Sequence, residues 1–142
     1  IGTEGGGLAR LLPDGSGFEV FRRNSADPHS ISFDEIDALH EDRTGLLWIG
    51  TLGGGVNTTH PERSAIGRLI HSPYQPNSLA DPFVWQLQRD ADDKLWAATL
   101  SGLDHIDPRT GEVVHYVNFS DRDGSVFPPR IQTISVDRKR RL

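Results

Sequence analysis

Two kinds of residue in this 142-residue chain invite chemistry: carboxylates that recur at fixed intervals and glycine clusters that could cradle an anion. Asp42, Asp90 and Asp137 could serve as general acids. Each, however, opens a turn between apolar segments, where an Asp side chain accepts turn amides, so Asp42 and Asp90 are expected to be structural. The triplets Gly5-Gly6-Gly7 and Gly53-Gly54-Gly55 lack the following Lys-Ser/Thr and the helix that a phosphate cradle needs. Gly54 and Gly55 read instead as parts of a tight hairpin. Asp90-Ala91-Asp92-Asp93 and Asp121-Arg122-Asp123-Gly124 resemble the start of a calcium loop but lack its later bidentate Glu. The six His show no helical metal spacing. No nucleophile, base and orienting acid assemble into a set. No catalytic residue, metal or cofactor is therefore expected.

Trp48 and Trp96 could be sugar platforms, but they stand among apolar strand residues, where an aromatic ring buries a large area, and so are read as core. Asn57-Thr58-Thr59 and Asn118-Phe119-Ser120 match a glycosylation triplet that is common by chance. The basic run Arg138-Lys139-Arg140-Arg141 falls where a hairpin turn is expected.

The elements that must position these residues follow from composition and repetition. A net charge of -5 argues against nucleic acid as a partner, and no apolar run reaches the ~20 residues of a membrane span. Zero Cys removes disulfides, thiol catalysis and Cys-bound zinc. Zero Met implies that Ile1 is not a translation start and that the chain is an excerpt or a processed piece.

The phrase Ile1-Gly2-Thr3-Glu4-Gly5-Gly6-Gly7-Leu8 returns 48 residues on as Ile49-Gly50-Thr51-Leu52-Gly53-Gly54-Gly55-Val56, and again, one Gly short, as Ala97-Ala98-Thr99-Leu100-Ser101-Gly102-Leu103. Asp42-Arg43-Thr44-Gly45-Leu46-Leu47-Trp48 likewise matches Asp90-Ala91-Asp92-Asp93-Lys94-Leu95-Trp96. Repeats at 1–48, 49–96 and 97–142 account for the whole chain. Within them the reading predicts strands at Leu46 to Thr51, Gly55 to His60, Ile66 to His71, Phe83 to Arg89, Leu95 to Thr99, Gly102 to Asp107, Val113 to Asn118 and Ile131 to Asp137. No sustained helical period appears.

Four strands repeating every ~40–50 residues predict an all-β fold, about three four-stranded blades of a β-propeller. A β-helix is the alternative, although its repeats are shorter and more uniform. The phrase Asp42 to Val56 resembles the two-component regulator propeller repeat, whose pattern runs close to D-x-x-G-x-L-W-i-G-T-x-x-G-G-l. The third repeat departs from it, with Asp93-Lys94 where Gly is usual and Ala97-Ala98 for Ile-Gly. The resemblance implies a fragment of a seven-bladed propeller from the periplasmic sensor region of a bacterial receptor. It further implies an output domain elsewhere, a histidine kinase or diguanylate cyclase, and allows a dimeric full-length receptor.

Blade topology then places the glycine loops on the same face as the loops that precede the innermost strands. Asp34, Glu35, Asp81 and Arg130 are expected at that face as ligand contacts, because function concentrates on loops held by a rigid scaffold. The expected function is non-catalytic sensing of an unknown small molecule or polymer. An enzyme propeller, lyase or glycosidase, and a protein-interaction propeller are the alternatives. Neighbouring blades are the other expected partner, and no membrane contact is expected of this segment. An open arc should expose Leu8, Leu11, Ile131 and Ile134.

Overall fold

The computed structural model describes residues 1–60, 66–117, 119–120, 126–127, 130–137 and 142. Strands β1 (Gly2–Thr3), β2 (Gly7–Leu11) and β3 (Phe18–Phe21) form a first antiparallel sheet. The second sheet contains β4 (Ile36–Glu41), β5 (Leu47–Thr51), β6 (Gly55–Thr59) and β7 (Ile66–Leu69) in chain order. The third repeats that order with β8 (Val84–Arg89), β9 (Leu95–Thr99), β10 (Gly102–Ile106) and β11 (Val113–Tyr116). A short hairpin joins β12 (Phe119–Ser120) to β13 (Val126–Phe127).

Each sheet is a meander because its turns are written locally. Asp42 Oδ1 accepts the amides of Thr44 and Leu46 at 2.8 and 3.1 Å, and Asp90 Oδ1 accepts those of Asp92 and Lys94 at 2.8 and 3.0 Å. Both aspartates are therefore turn caps, as their spacing predicted. Gly45 occupies the left-handed region at φ 81° in the first of these turns, and Asp93 takes the same conformation at φ 63° in the second. A β-bulge interrupts the pairing of β4 with β5 between Ile36 and Ala38, and the same bulge recurs between Val84 and Gln86. Repetition therefore extends to irregularities as well as strands.

Alternation along β5 divides its side chains between two cores. Ile49 is fully buried against Leu8, Ile31 and Ile36, on the side of the first sheet. Trp48 is buried against Val84, Leu87 and Leu95, on the side of the third. Gly50 lies on that second side, where an added Cβ would come within 2.9 Å of both Ala38 Cβ and Val84 Cγ1. A Cβ added at Gly2 would likewise come within 2.7 Å of Ile36 Cγ2. The small residue is thus required by the closeness of the next sheet's innermost strand.

Four expectations need correction. Ile131 to Asp137 forms no strand: it is held by Ile131 N donating to Thr99 O at 3.3 Å and by the Gln86 amide, which pairs with both backbone groups of Ile134 at 2.9 Å. A segment without a ladder partner has little to keep it extended. Trp96 is half-buried rather than core, because its face of β9 points away from the second sheet. It stacks on His105 with ring centroids 4.0 Å apart and leans on Tyr116 at 5.5 Å. Leu8 is 5% exposed, since it packs between the first and second sheets, whereas Leu11 is exposed and Ile131 and Ile134 are half-buried. The expected strand ends at Leu46, His60, His71, Phe83, Asp107 and Asn118 also lie one or two residues outside the observed strands, apart from Asn118, which is outside the described residues.

Trp48→Ala should lower the unfolding free energy by about 3–5 kcal/mol, the range for a large aromatic lost from a packed core. Trp96→Ala should cost clearly less. Equal losses in denaturant unfolding of the two variants would contradict the assignment of Trp48 alone to a closed core.

Candidate functional site

The glycine loops owe their shape to a threonine that ends each β5-type strand, buried at Thr51 and Thr99 and half-buried at Thr3. Thr51 Oγ1 donates to Gly55 O at 2.9 Å and accepts from Gly54 N at 3.0 Å. Thr99 Oγ1 donates to Gly102 O at 2.9 Å, and Thr3 Oγ1 donates to Gly7 O at 2.7 Å. The loops so locked dock onto the next sheet: Gly55 N donates to Pro82 O at 2.8 Å, and Gly7 N donates to Asp34 O at the same distance. Gly53 N also donates to Pro82 O at 3.2 Å, and Leu52 pairs with Phe83 in an isolated bridge. Backbone hydrogen bonds therefore bind one end of each sheet to its neighbour. At Gly55, with φ at 75°, an added Cβ would meet Leu69 O at 2.5 Å, so the position demands glycine twice over.

The four residues read as ligand contacts are distributed along this end of the sheets. Asp34 accepts the Arg23 amide through Oδ1 at 2.6 Å, and its carbonyl takes Gly7 N. Asp81 caps its own loop through Phe83 N at 2.8 Å and takes the Ser101 hydroxyl at 2.6 Å. Both carboxylates are committed to loop structure. Glu35 contributes its carbonyl to Leu52 N at 3.1 Å, while its carboxylate makes no side-chain hydrogen bond or ion pair among the described residues. Arg130 is exposed and adjoins the Ile131 amide that reaches Thr99 O.

Two aromatic residues on the same end were passed over in the sequence. Phe33 is 36% and Phe83 40% exposed, and ring atoms of both lie within 3.8 Å of the point where a Gly53 Cβ would stand. Gly53 has φ 127°, so its backbone and the rings on either side form one small surface. Their signal was available: each precedes an innermost strand by no more than three residues, yet neither belongs to a hydrophobic alternation. Asp37 was also missed. It sits at the bulge of β4, exposed, with its carboxyl raised by burial and by the nearby Glu4 charge. Trp85 is its half-buried counterpart in β8.

A second polar system ties the loops to the outer strands. Asn57, fully buried in β6, accepts Ser32 N through Oδ1 at 2.9 Å and donates from Nδ2 to Ser32 Oγ at 2.8 Å. The same position in β10 is Asp104, equally buried, which accepts Ala80 N at 2.9 Å and lies 2.8 Å from His115 Nδ1. Arg68 of β7 donates to Ser30 O at 2.6 Å, and His115, its counterpart in β11, has Nε2 3.3 Å from Pro76 O. Ser30 and Ser78 fold the two loops identically, each hydroxyl accepting one amide and donating to the carbonyl of the same residue, Asn24 or Ser72.

Environment separates the carboxylates. Burial alone would raise Asp42 and Asp90, but hydrogen bonds from Thr44, Trp48 and turn amides in one case, and from His105 and turn amides in the other, hold both below the usual range. Asp104 goes the other way, its burial outweighing the bonds from His115 and Ala80 N. The Asp90 oxygens take two turn amides and His105 Nε2 at 2.8 Å. Among the described residues no group of three or more His, Asp or Glu is placed to hold a metal, and no helix is long and apolar enough to cross a membrane. The candidate loop at Asp121 to Gly124, the triplet at Asn118 and the basic run Arg138 to Arg141 lie outside the described residues.

Asp104→Asn should keep the Ala80 bond, as Asn57 keeps its own, and remove a titration. A folded-state pKa raised above the unfolded value gives stability that is present below about pH 4 and lost as pH rises through the folded value. The melting temperature of the variant, measured against the parent, should therefore improve from pH 4 toward pH 7. A difference that is flat or declines over that interval would show that the carboxylate is not penalised by burial.

Comparison with known proteins places this geometry. Residues 30–53, which run from the Ser30 loop through the β4–β5 hairpin to the glycine loop, match the family described as two component regulator propeller. The extracellular domain of the putative hybrid two component system BT3049 from B. thetaiotaomicron superposes with a TM-score of 0.70 at 19% identity, over 89% of this chain and 18% of that one. That of BT4673 from the same organism gives 0.61 at 22% identity, over 85% and 19%. PorZ, a surface component of the type-IX secretion system of Porphyromonas gingivalis, gives 0.51 at 17% identity, over 68% and 14%. The chain thus spans less than a fifth of these structures. No curated protein sequence matches it. Residues 30–53 thus resemble the two component regulator propeller repeat, and the stacked antiparallel sheets have the fold of β-propeller blades.

Proposed function

We propose that these blades are part of a non-catalytic sensing propeller on the extracytoplasmic side of a bacterial signalling receptor, a periplasmic one, and that their loop end receives a small molecule or polymer. The observation that carries the reading is the surface around Gly53, where two exposed phenyl rings flank a glycine held by hydrogen bonds to the next sheet. Exposed aromatic rings on loops with fixed backbones are a cost to solubility that ligand contact offsets. Glu35 and Asp37 stand nearby in sequence and add negative charge, with Arg130 as the opposing cation on the same end. An uncharged or cationic ligand suits this surface better than an anionic one: rings attract cations over their faces and stack on apolar sugar faces. A change of ligand state would pass from the loops to the sheets through Gly55–Pro82 and Gly7–Asp34, whose backbone bonds link neighbouring blades.

The test is titration of the isotope-labelled chain with maltose, choline and citrate as neutral, cationic and anionic probes. Amide shifts at 33–37, 52–55 and 81–85 with maltose or choline, weakened about tenfold by Phe33→Ala or Phe83→Ala, are expected. Shifts confined to outer strands, or citrate acting as strongly as the others, would overturn the site.

A further inference from the structure

Equivalent loops of the second and third sheets are held by different chemistry. The loop before β4 is tied to β7 by Arg68, whose guanidinium donates to Ser30 O from Nε at 3.2 Å and from Nη2 at 2.6 Å. The loop before β8 is tied to β11 by His115, with Nδ1 2.8 Å from Asp104 Oδ1 and Nε2 3.3 Å from Pro76 O. The buried partner changes in step: Asn57 of β6, which receives Ser32 N, is replaced in β10 by Asp104, which receives Ala80 N through Oδ2 at 2.9 Å. A neutral amide and a permanent cation thus give way to a carboxyl and an imidazole.

Proton counting shows what this exchange does. Both atoms that face the ring are acceptors, a carbonyl oxygen that carries no proton and a carboxylate oxygen that carries none when ionised. The two contacts are both hydrogen bonds only when the pair holds two protons, one on Nε2 toward Pro76 and one between Nδ1 and Asp104. Either inner atom can carry the second, because coupled groups titrate as a pair. With one proton left, a ring lone pair must face an oxygen. That costs less at Nε2, on the exposed side of the ring, than at Nδ1, where the opposing carboxyl is fully buried. The remaining proton therefore belongs on Nδ1, and the bond to Pro76 is the one lost.

We propose that Asp104 and His115 form a proton-operated clasp on the loop before β8, closed at low pH, where His115 joins β11 to Pro76, and open at high pH. The environment of Asp104 supports this direction. Burial raises its carboxyl, the bonds from His115 and Ala80 N oppose the rise, and the charge of Asp81 adds to it, Asp81 itself being tied to Phe83 N and Ser101 Oγ. Apart from His115, Asp81 is the charged group that acts on Asp104 among the described residues. A raised carboxyl extends the two-proton state upward in pH, so the clasp closes in acid and is lost as pH rises. The loop it holds ends at Pro82, whose carbonyl takes the Gly53 and Gly55 amides of the second sheet. Opening thus acts within one loop of the bonds that join two sheets, and no ligand at the Gly53 surface is needed for it.

Hydrogen–deuterium exchange of the intact 142-residue chain provides the test, with the loop of the second sheet as internal reference. After correction for the intrinsic pH dependence of exchange, protection of the Ser78, Leu79 and Ala80 amides should fall about tenfold from about pH 5 to about pH 8, where histidine ordinarily changes charge. The Ser30 and Ser32 amides, in the loop held by Arg68 and Asn57, should keep theirs. His115→Arg should hold protection high at both ends of the interval and His115→Ala should leave it low at both, with circular dichroism confirming the fold of each. Nitrogen-15 spectra of the imidazole should place the proton that remains at high pH on Nδ1. Equal loss in both loops, a flat profile in the parent, parent-like pH dependence in His115→Arg, or a proton retained on Nε2 at high pH would each overturn the proposal. If neither variant folds, the exchange profile of the parent and its imidazole spectrum decide the matter.

Discussion

A sheet one strand thick with apolar residues on both faces cannot rest against a single neighbour, and everything in this structure depends on that constraint. Ile49 and Trp48 are adjacent in the chain yet belong to different cores, one shared with the first sheet and one with the third. Neither core is the property of a single sheet. Stability is therefore of the nearest-neighbour kind that characterises repeat architectures, in which a blade contributes half of two interfaces. It also explains why two loop residues are buried as deeply as strand residues. Ile31 and Leu79, which are loop residues, are 0% and 1% exposed because each plugs the core beneath the loop that carries it.

Polar groups fix what the apolar faces leave adjustable. Hydrophobic contact between two flat sheets sets a distance but tolerates sliding, whereas Gly55 N on Pro82 O and Asn57 on Ser32 permit one register only. Leaving either buried group unpaired would cost roughly 1–3 kcal/mol, so a slipped sheet is penalised at several points together. Comparison of the blades shows which of these bonds depend on charge. Asn57 serves the second sheet with a neutral amide, whereas Asp104, at the same position in the third, serves it with a carboxyl that burial raises above its ordinary range.

The legible part of the fold was the part that repeats. A phrase recurring at 48 residues, with Gly and Asp at fixed offsets, was enough to give strand order, turn chemistry and the burial of Trp48. Trp96 was misread because the same residue in the same phrase has different neighbours: burial is decided by what lies opposite, and the segment opposite Trp96 is tied by Gln86 rather than by a ladder. Asp34 and Asp81 shortly precede β4 and β8. Their engagement with Arg23 N and Ser101 depends on loop conformations that no periodicity encodes. Phe33 and Phe83 were not read as ligand contacts for the converse reason, since an aromatic beside or at the start of a strand reads as core until the fold shows that it is 36% or 40% exposed.

The size gradient along β5 has a geometric consequence. Trp48 fills the gap to the third sheet near one end of the strand, whereas Gly50, two residues nearer the glycine loop, brings Val84 as close as a missing side chain permits. Two sheets held apart at one end and drawn together at the other form a wedge. The narrow edge lies where the loops are, and Gly2 against Ile36 repeats the constriction one sheet earlier. Residue size at these two positions thus sets how closely neighbouring sheets approach at their loop ends, so a single methyl group there would push one sheet away from the next.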